Sequence, residues 1–170
     1  IASGRAGNVI GGGDWSANRL IPDAINSILK DKTIFIRNPN FNRPWQHVLE
    51  PLYGYLILGM KMYKKPKDFS GPWNFGTERN TITNVLEIVR EIISFWGSGK
   101  VKFKKNVKYY EQTNLQLNID KAKKFLKWKP KYSIKKSIQV TTEWYKKVLT
   151  NNVEAEKITI EQINDYMNES

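Results

Sequence analysis

At 170 residues, with 40% apolar and 12% aromatic content, the chain is long enough for one domain with a hydrophobic core, or a domain plus an appendage. It has no Cys, which excludes a disulfide framework, a thiolate nucleophile and a cysteine-ligated metal, and suits a reducing, cytoplasmic setting. The net charge of +12 is concentrated in residues 100 to 147, where 15 Lys stand against 3 acidic groups without one Arg; this excludes the Arg forks that commonly read nucleic-acid bases, and predicts a solvated face with weak, salt-sensitive polyanion association.

In chain order, IASGRAGNVI reads as one buried strand, and a buried strand at residue 1 is expected to have neighbours ahead of it. Gly11, Gly12, Gly13 and Asp14 follow as a tight turn that brings backbone close to something. No Gly-Lys-Ser/Thr follows, and the spacing is not that of a dinucleotide fingerprint. Pro22 suits a first helical turn, and Ile21, Ala24, Ile25, Ile28 and Leu29 make an apolar stripe up to Lys32. Thr33 to Arg37 reads as a short strand, and Arg43 to Val48 as a second one, antiparallel to it across the turn at NPNF.

Glu50 is expected to cap a helix beginning at Pro51, with Leu52, Tyr55, Leu56, Gly59 and Tyr63 on one face. Trp73 to Phe75 is a strand candidate. Asn84 and Glu87 have capping-box spacing before Val85, Ile88, Val89, Ile92 and Phe95, and Gly97 and Gly99 end that helix. Val101 to Phe103 reads as a strand, and Asp120 starts a brief helix containing Ala122, Phe125 and Leu126. Ser133 caps the next helix, and Thr159 with Gln162 starts the last, with Ile160, Ile163 and Tyr166 inward. Residues 151–157 resemble a linker. The domain reading is 1–150 for the main α/β unit and 151–170 for a linker and terminal helix.

The only His, His47, cannot assemble a metal site by itself, and no Glu-x-x-His occurs. A literal Tyr-x-x-x-Lys match, Tyr132 to Lys136, lies by a lysine-rich helix start and after a turn, not on a core helix near a cofactor, and carries no catalytic expectation. The candidates instead suit an anion. Arg43 is stiffened by Pro44 and packed by Trp45, ready to fork onto a phosphate or onto a local carboxylate. Arg19 precedes a helix start, where free N–H groups favour anions. Asn8 is a phosphate or sugar donor or a turn-former, Trp15 stacks on a base or covers the core, and His47 is a packed core residue.

The stretches Arg5 to Trp15, Arg19-Leu20-Ile21-Pro22 and Arg43-Pro44-Trp45-Gln46-His47-Val48-Leu49-Glu50-Pro51, continued by Trp73-Asn74-Phe75-Gly76 and Lys127-Trp128-Lys129-Pro130, resemble the CDP-glucose 4,6-dehydratases. These belong to the extended short-chain dehydrogenase/reductase family of nucleotide-sugar enzymes. The resemblance implies a Rossmann-type NAD domain with a smaller nucleotide-sugar domain. It implies a reaction in which NAD takes hydride from C4, water leaves across C5 and C6, and hydride returns to C6.

By the same resemblance Asn8, Arg19, Leu20, Ile21, Arg43 and Glu111 bind substrate. Gly11, Gly12, Gly13, Trp15, Trp45 and His47 support the site. The expected ligand is CDP-glucose or a related nucleotide sugar, the expected assembly a homodimer, with no specific nucleic acid and no membrane.

The family's Gly-x-x-Gly-x-x-Gly turn and core Tyr-x-x-x-Lys are not in this sequence. The expectation is therefore a C-terminal portion of the fold whose cofactor half is missing, with no catalytic residues and no NAD site of its own. Such a chain would bind substrate only, be inactive alone, and leave its first strand without neighbours. Two rival readings are a dTDP- or UDP-sugar dehydratase or epimerase, and a non-catalytic nucleotide-sugar-binding protein.

Overall fold

The computed structural model describes residues 1–78, 83–103 and 116–169. In order, the elements are β1 (Ala2–Ala6), β2 (Asn8–Ile10), α1 (Leu20–Leu29), β3 (Thr33–Ile36), β4 (Asn42–Arg43), β5 (Trp45–His47), α2 (Leu49–Lys64) and the single turn α3 (Pro66–Phe69). Then come β6 (Gly71–Phe75), β7 (Thr83–Asn84), α4 (Val85–Trp96), β8 (Lys100–Phe103), a π-helical turn (Ala122–Leu126), α5 (Ile134–Thr150) and α6 (Ala155–Asn168).

The run expected as one strand breaks at Gly7, whose N–H donates to Phe75 O at 3.3 Å. On either side of that break the chain joins different neighbours. β1 pairs in parallel with β6, and β2 pairs in parallel with β5. The hairpin expected between Thr33–Arg37 and Arg43–Val48 does not form. β3 instead pairs in parallel with β8, and β4 pairs antiparallel with β7. Parallel partners far apart in sequence require crossovers, and helices supply them.

Parallel strands with helices packed against them are a Rossmann-type α/β arrangement, and this corrects several expectations together. The expectation of a C-terminal portion from which the cofactor-binding architecture is missing is corrected, because the described strands and helices are themselves of that architecture. The expectation of an absent NAD site falls with it, because this architecture is the kind that binds dinucleotides. So does the reading of the chain as a substrate-binding fragment that lacks the cofactor half. The first strand, expected to have no neighbour, has β6 beside it.

Among the described residues the two larger of three apolar clusters hold the layers. The larger gathers Ile21, Ala24 and Ile25 of α1, Ile34 and Ile36 of β3, Ile88, Val89 and Ile92 of α4, and Ile138 and Tyr145 of α5. The smaller packs Trp73 and Phe75 of β6 with Leu58, Ala122, Leu126 and Trp128. Burying each Ile, Leu, Val or Phe side chain among them contributes about 1.5–3 kcal/mol. The α4 capping box is present in full, with the Asn84 side chain accepting from Glu87 N–H and Glu87 accepting from Asn84 N–H.

Elsewhere the faces differ from expectation. Leu52, Tyr55, Leu56 and Tyr63 of α2 are exposed, and the helix buries Glu50, Pro51, Gly54 and Leu58 instead. Gly54 is needed there, since an added Cβ would lie 2.3 Å from the Phe75 ring. Ile160 and Ile163 are also exposed. Because α6 starts at Ala155, earlier than Thr159, its buried side falls on Ile158 and Tyr166.

Candidate functional site

At the end of β2 the chain passes through its glycine turn and enters α1, leaving a cleft of about 490 Å³. Asn8, Asp14, Asn18, Arg19, Leu20 and Trp45 are among its walls. The carboxyl end of a parallel strand is where open α/β folds place ligands. A second cleft of about 220 Å³ adjoins it, and Val9, Ile10, Gly11, Asp14 and Arg19 line both.

The N-terminus of α1 faces the larger cleft. Arg19 is its N-cap in an extended conformation, and no side chain caps the helix. The first intrahelical bond runs from Asp23 N–H to Arg19 O, at 3.0 Å. The Leu20 and Ile21 N–H groups precede it, and Pro22 has none to offer, so two backbone donors stand at the positive end of the helix dipole. Such an end favours an anion.

The Arg19 guanidinium meets Asp14 Oδ2 at 3.4 Å, with side chains 65% and 31% exposed. Partial burial pushes the Asp14 carboxyl up, but the Ser16 N–H and hydroxyl and the Arg19 charge outweigh it and hold the carboxyl below its ordinary value. Asp14 is also fixed in place. Its Oδ1 accepts from Ser16 N–H at 3.0 Å, and its backbone carbonyl accepts from Tyr145 OH at 2.6 Å.

The glycine turn is close to the protein's own side chains. A Cβ on Gly12 would lie 2.1 Å from the Trp144 ring, and one on Gly11 would lie 2.7 Å from Val48. Gly13 has φ +81°, the left-handed region that glycine enters freely. Gly12 and Gly13 thus admit the Trp144 ring, and Gly11 admits Val48. Trp15, half exposed, sets its ring edge-on to Tyr145 at 5.3 Å and tilted to Trp144 at 6.5 Å.

Asn8, Arg19, Leu20 and Ile21 are thus brought together with Trp45 around one cleft. Arg43 is not among its walls. It lies in β4, partly buried, donating to Asn42 O at 3.2 Å and lying over the Phe41 ring at 5.5 Å. Glu111 is outside the described residues. His47 is buried, and its Nδ1 accepts from Leu49 N–H at 3.4 Å. Burial pushes its pKa down to about 4, so the ring is neutral at pH 7. Tyr132 packs against His47 and Tyr166, and burial together with nearby carboxylates raises its hydroxyl to about 12, unsuited to base catalysis at neutral pH.

Sequence reasoning missed two groups. Asp14 was legible only as an acidic residue five positions before Arg19, and their pairing needs the turn between them. Glu50, expected as a cap, is fully buried, with both oxygens receiving Lys131 N–H at 3.0 and 3.1 Å, Oε1 receiving Tyr132 N–H at 2.7 Å and Oε2 receiving Tyr166 OH at 2.8 Å. Nothing local in the sequence signals partners more than 80 residues away.

Among the described residues no group of three or more His, Cys, Asp or Glu could hold a metal ion, and no helix is long and apolar enough to cross a membrane. For NAD, the parallel strand pairs with helices packed against them are compatible with a dinucleotide cofactor.

No protein-family model matches the chain. It is 39% identical over 147 residues to CDP-glucose 4,6-dehydratase of Salmonella typhimurium, a match covering 86% of this chain and 41% of that protein. The chain therefore spans less than half the length of that relative. Among solved structures it is similar to dTDP-glucose 4,6-dehydratase from Bacillus anthracis in complex with NAD. There the TM-score is 0.66 and the identity 22%, over 86% of this chain and 44% of the other. It is also similar to UDP-N-acetylglucosamine 4-epimerase from Methanobrevibacter ruminantium, with TM-score 0.71 and 16% identity over 87% and 46%. The chain thus has the fold of the extended short-chain dehydrogenase/reductase enzymes that include nucleotide-sugar 4,6-dehydratases and 4-epimerases, and it is related in sequence to a CDP-glucose 4,6-dehydratase.

Proposed function

We propose that the cleft between β2 and α1 binds the diphosphate of a nucleotide sugar, CDP-glucose first among candidates, in NAD-dependent 4,6-dehydration. The observation that carries this reading is the meeting of Arg19, Asn8 and the uncapped start of α1 on one cleft at the end of a parallel strand. Two backbone N–H donors and one guanidinium suit a group with two negative charges and several acceptor oxygens. The relative at 39% identity favours a cytidine ligand over uridine or thymidine.

NAD, when bound, supplies a hydride acceptor for the sugar and returns the hydride. The chain's own residues bind and orient. Leu20 and Ile21 present backbone donors, Asn8 presents an amide, and Arg19 neutralises phosphate charge. Neutral, buried His47 adds no charge behind the site. A cytoplasmic setting and a homodimer belong to the same proposal.

Titration calorimetry with CDP-glucose, UDP-glucose, dTDP-glucose and inorganic phosphate tests it. CDP-glucose should bind tightest, and by a wide margin over phosphate. Equal, weak binding of all four would overturn the reading. Saturable quenching of Trp fluorescence by NAD is expected from the same architecture, and its absence would remove the cofactor from the proposal.

A further inference from the structure

The Asp14–Arg19 pair stands where the two adjoining clefts meet, because both residues line both of them. The two partners differ in freedom. Asp14 is held at its carboxylate by Ser16 N–H and at its carbonyl by Tyr145 OH, whereas the Arg19 side chain is 65% exposed and its one described ion-pair partner is Asp14. An exposed ion pair of this kind is worth between about 0 and 1 kcal/mol, so a ligand with two negative charges can take the guanidinium from it.

We infer that Asp14 and Arg19 form a gate between the two clefts, opened when a diphosphate displaces Asp14 from Arg19 and joins the clefts into one binding groove. This rests on the nucleotide-sugar reading above and adds a division of the ligand. The nucleoside lies in the larger cleft, the hexose in the smaller, and the diphosphate at the gate. Asp14 stays fixed and Arg19 moves. Asp14 is then a positioning residue: it parks Arg19 at the gate in the free protein, and its charge makes the site reject ligands that bring too little negative charge to displace it.

Asp14→Asn tests the gate, since the amide keeps an oxygen for Ser16 N–H and leaves the carbonyl for Tyr145 while removing the charge. CDP-glucose should bind Asp14→Asn roughly 2- to 5-fold more tightly than wild type, as expected from freeing Arg19 from a weak exposed pair. The gain should vanish when Arg19→Gln is also present. A gain that persists in the double variant would mean plain repulsion by Asp14 and would overturn the gate. Unchanged affinity in Asp14→Asn, with affinity lost in Arg19→Gln, would also overturn it while leaving the binding reading intact. Failure of the wild-type protein to bind CDP-glucose would bring down the reading and the gate together. Independently of any variant, the Arg19 Nε–H resonance should shift when CDP-glucose is added and stay in place with glucose alone; an unmoved resonance on CDP-glucose binding would overturn the gate.

Discussion

Two carboxylates sit among aromatic rings in this chain, and they have opposite surroundings. Asp14, beside Trp15 and Tyr145, is partly exposed, and its cation is largely exposed. Glu50, beside Tyr132 and Tyr166, is buried, and three donor groups fixed in the fold converge on it. Lys131 extends that second cluster, its Nζ donating to the Tyr166, Met167 and Glu169 carbonyls at the end of α6. The difference teaches where binding chemistry can reside. A weak exposed pair can be exchanged for a ligand, whereas a buried, satisfied carboxylate cannot be reached without dismantling what it holds.

Removing the buried member should have the largest effect. Glu50→Ala strands the Lys131 and Tyr132 N–H groups and the Tyr166 hydroxyl, at a cost of about 3–5 kcal/mol. Urea unfolding should show it, together with faster amide exchange in α6. A loss under about 1 kcal/mol, the net worth of one ordinary hydrogen bond, would mean that the cluster is not what seats the helix.

The same region should control the response to acid. His47 has its pKa depressed from 6.5 to about 4 by burial, so its contribution is present above pH 6.5 and is lost as pH falls toward 4, on the order of 3 kcal/mol in all. Burial raises the Glu50 carboxyl above its ordinary 4.5, against the lowering effect of its hydrogen bonds. Its contribution therefore runs the other way, being full below pH 4.5 and lost as pH rises through the raised value. His47→Phe should remove the acid-side loss in a plot of unfolding free energy against pH. An unchanged slope between pH 6.5 and 4 would assign that loss to another group.

A smaller effect is expected at the turn that joins the regions. Gly12→Ala drives a methyl into the Trp144 ring and should cost about 1–3 kcal/mol. Thermal melts would check it, and a neutral result would mean that Trp144 swings aside freely.

The smallest stability effect belongs to the exposed pair. Arg19→Ala should change stability by less than about 1 kcal/mol. It should nevertheless weaken CDP-glucose binding roughly tenfold, within the range for a charged hydrogen bond. A variant that binds normally would separate Arg19 from the ligand and dissolve the functional half of the comparison.

Much of the site is legible in the sequence alone. The helix start after Arg19 and a strand containing Asn8 follow from local pattern, and both residues line one cleft, although Asn8 opens β2 and does not end it. What is not legible is the company they keep. Asp14 reaches Arg19 only through the turn, and the glycines before it serve Trp144, more than 130 residues onward.

By itself, the sequence determined which of the longer segments are helices and where α4 and α5 begin. The Asn84–Glu87 box and the Ser133 cap are hydrogen bonds between residues three apart, and the 3.6-residue stripes of α4 and α5 need no distant partner to be recognised. Tertiary structure alone decided which strands pair and which helical face is covered. Parallel pairing joins residues separated by whole helices, so pattern at either strand cannot name the other. The apolar face of α2 turned outward, and Glu50 inward, because Phe75 packs closely against Gly54 and because Lys131, Tyr132 and Tyr166 bring donors that only the folded chain assembles.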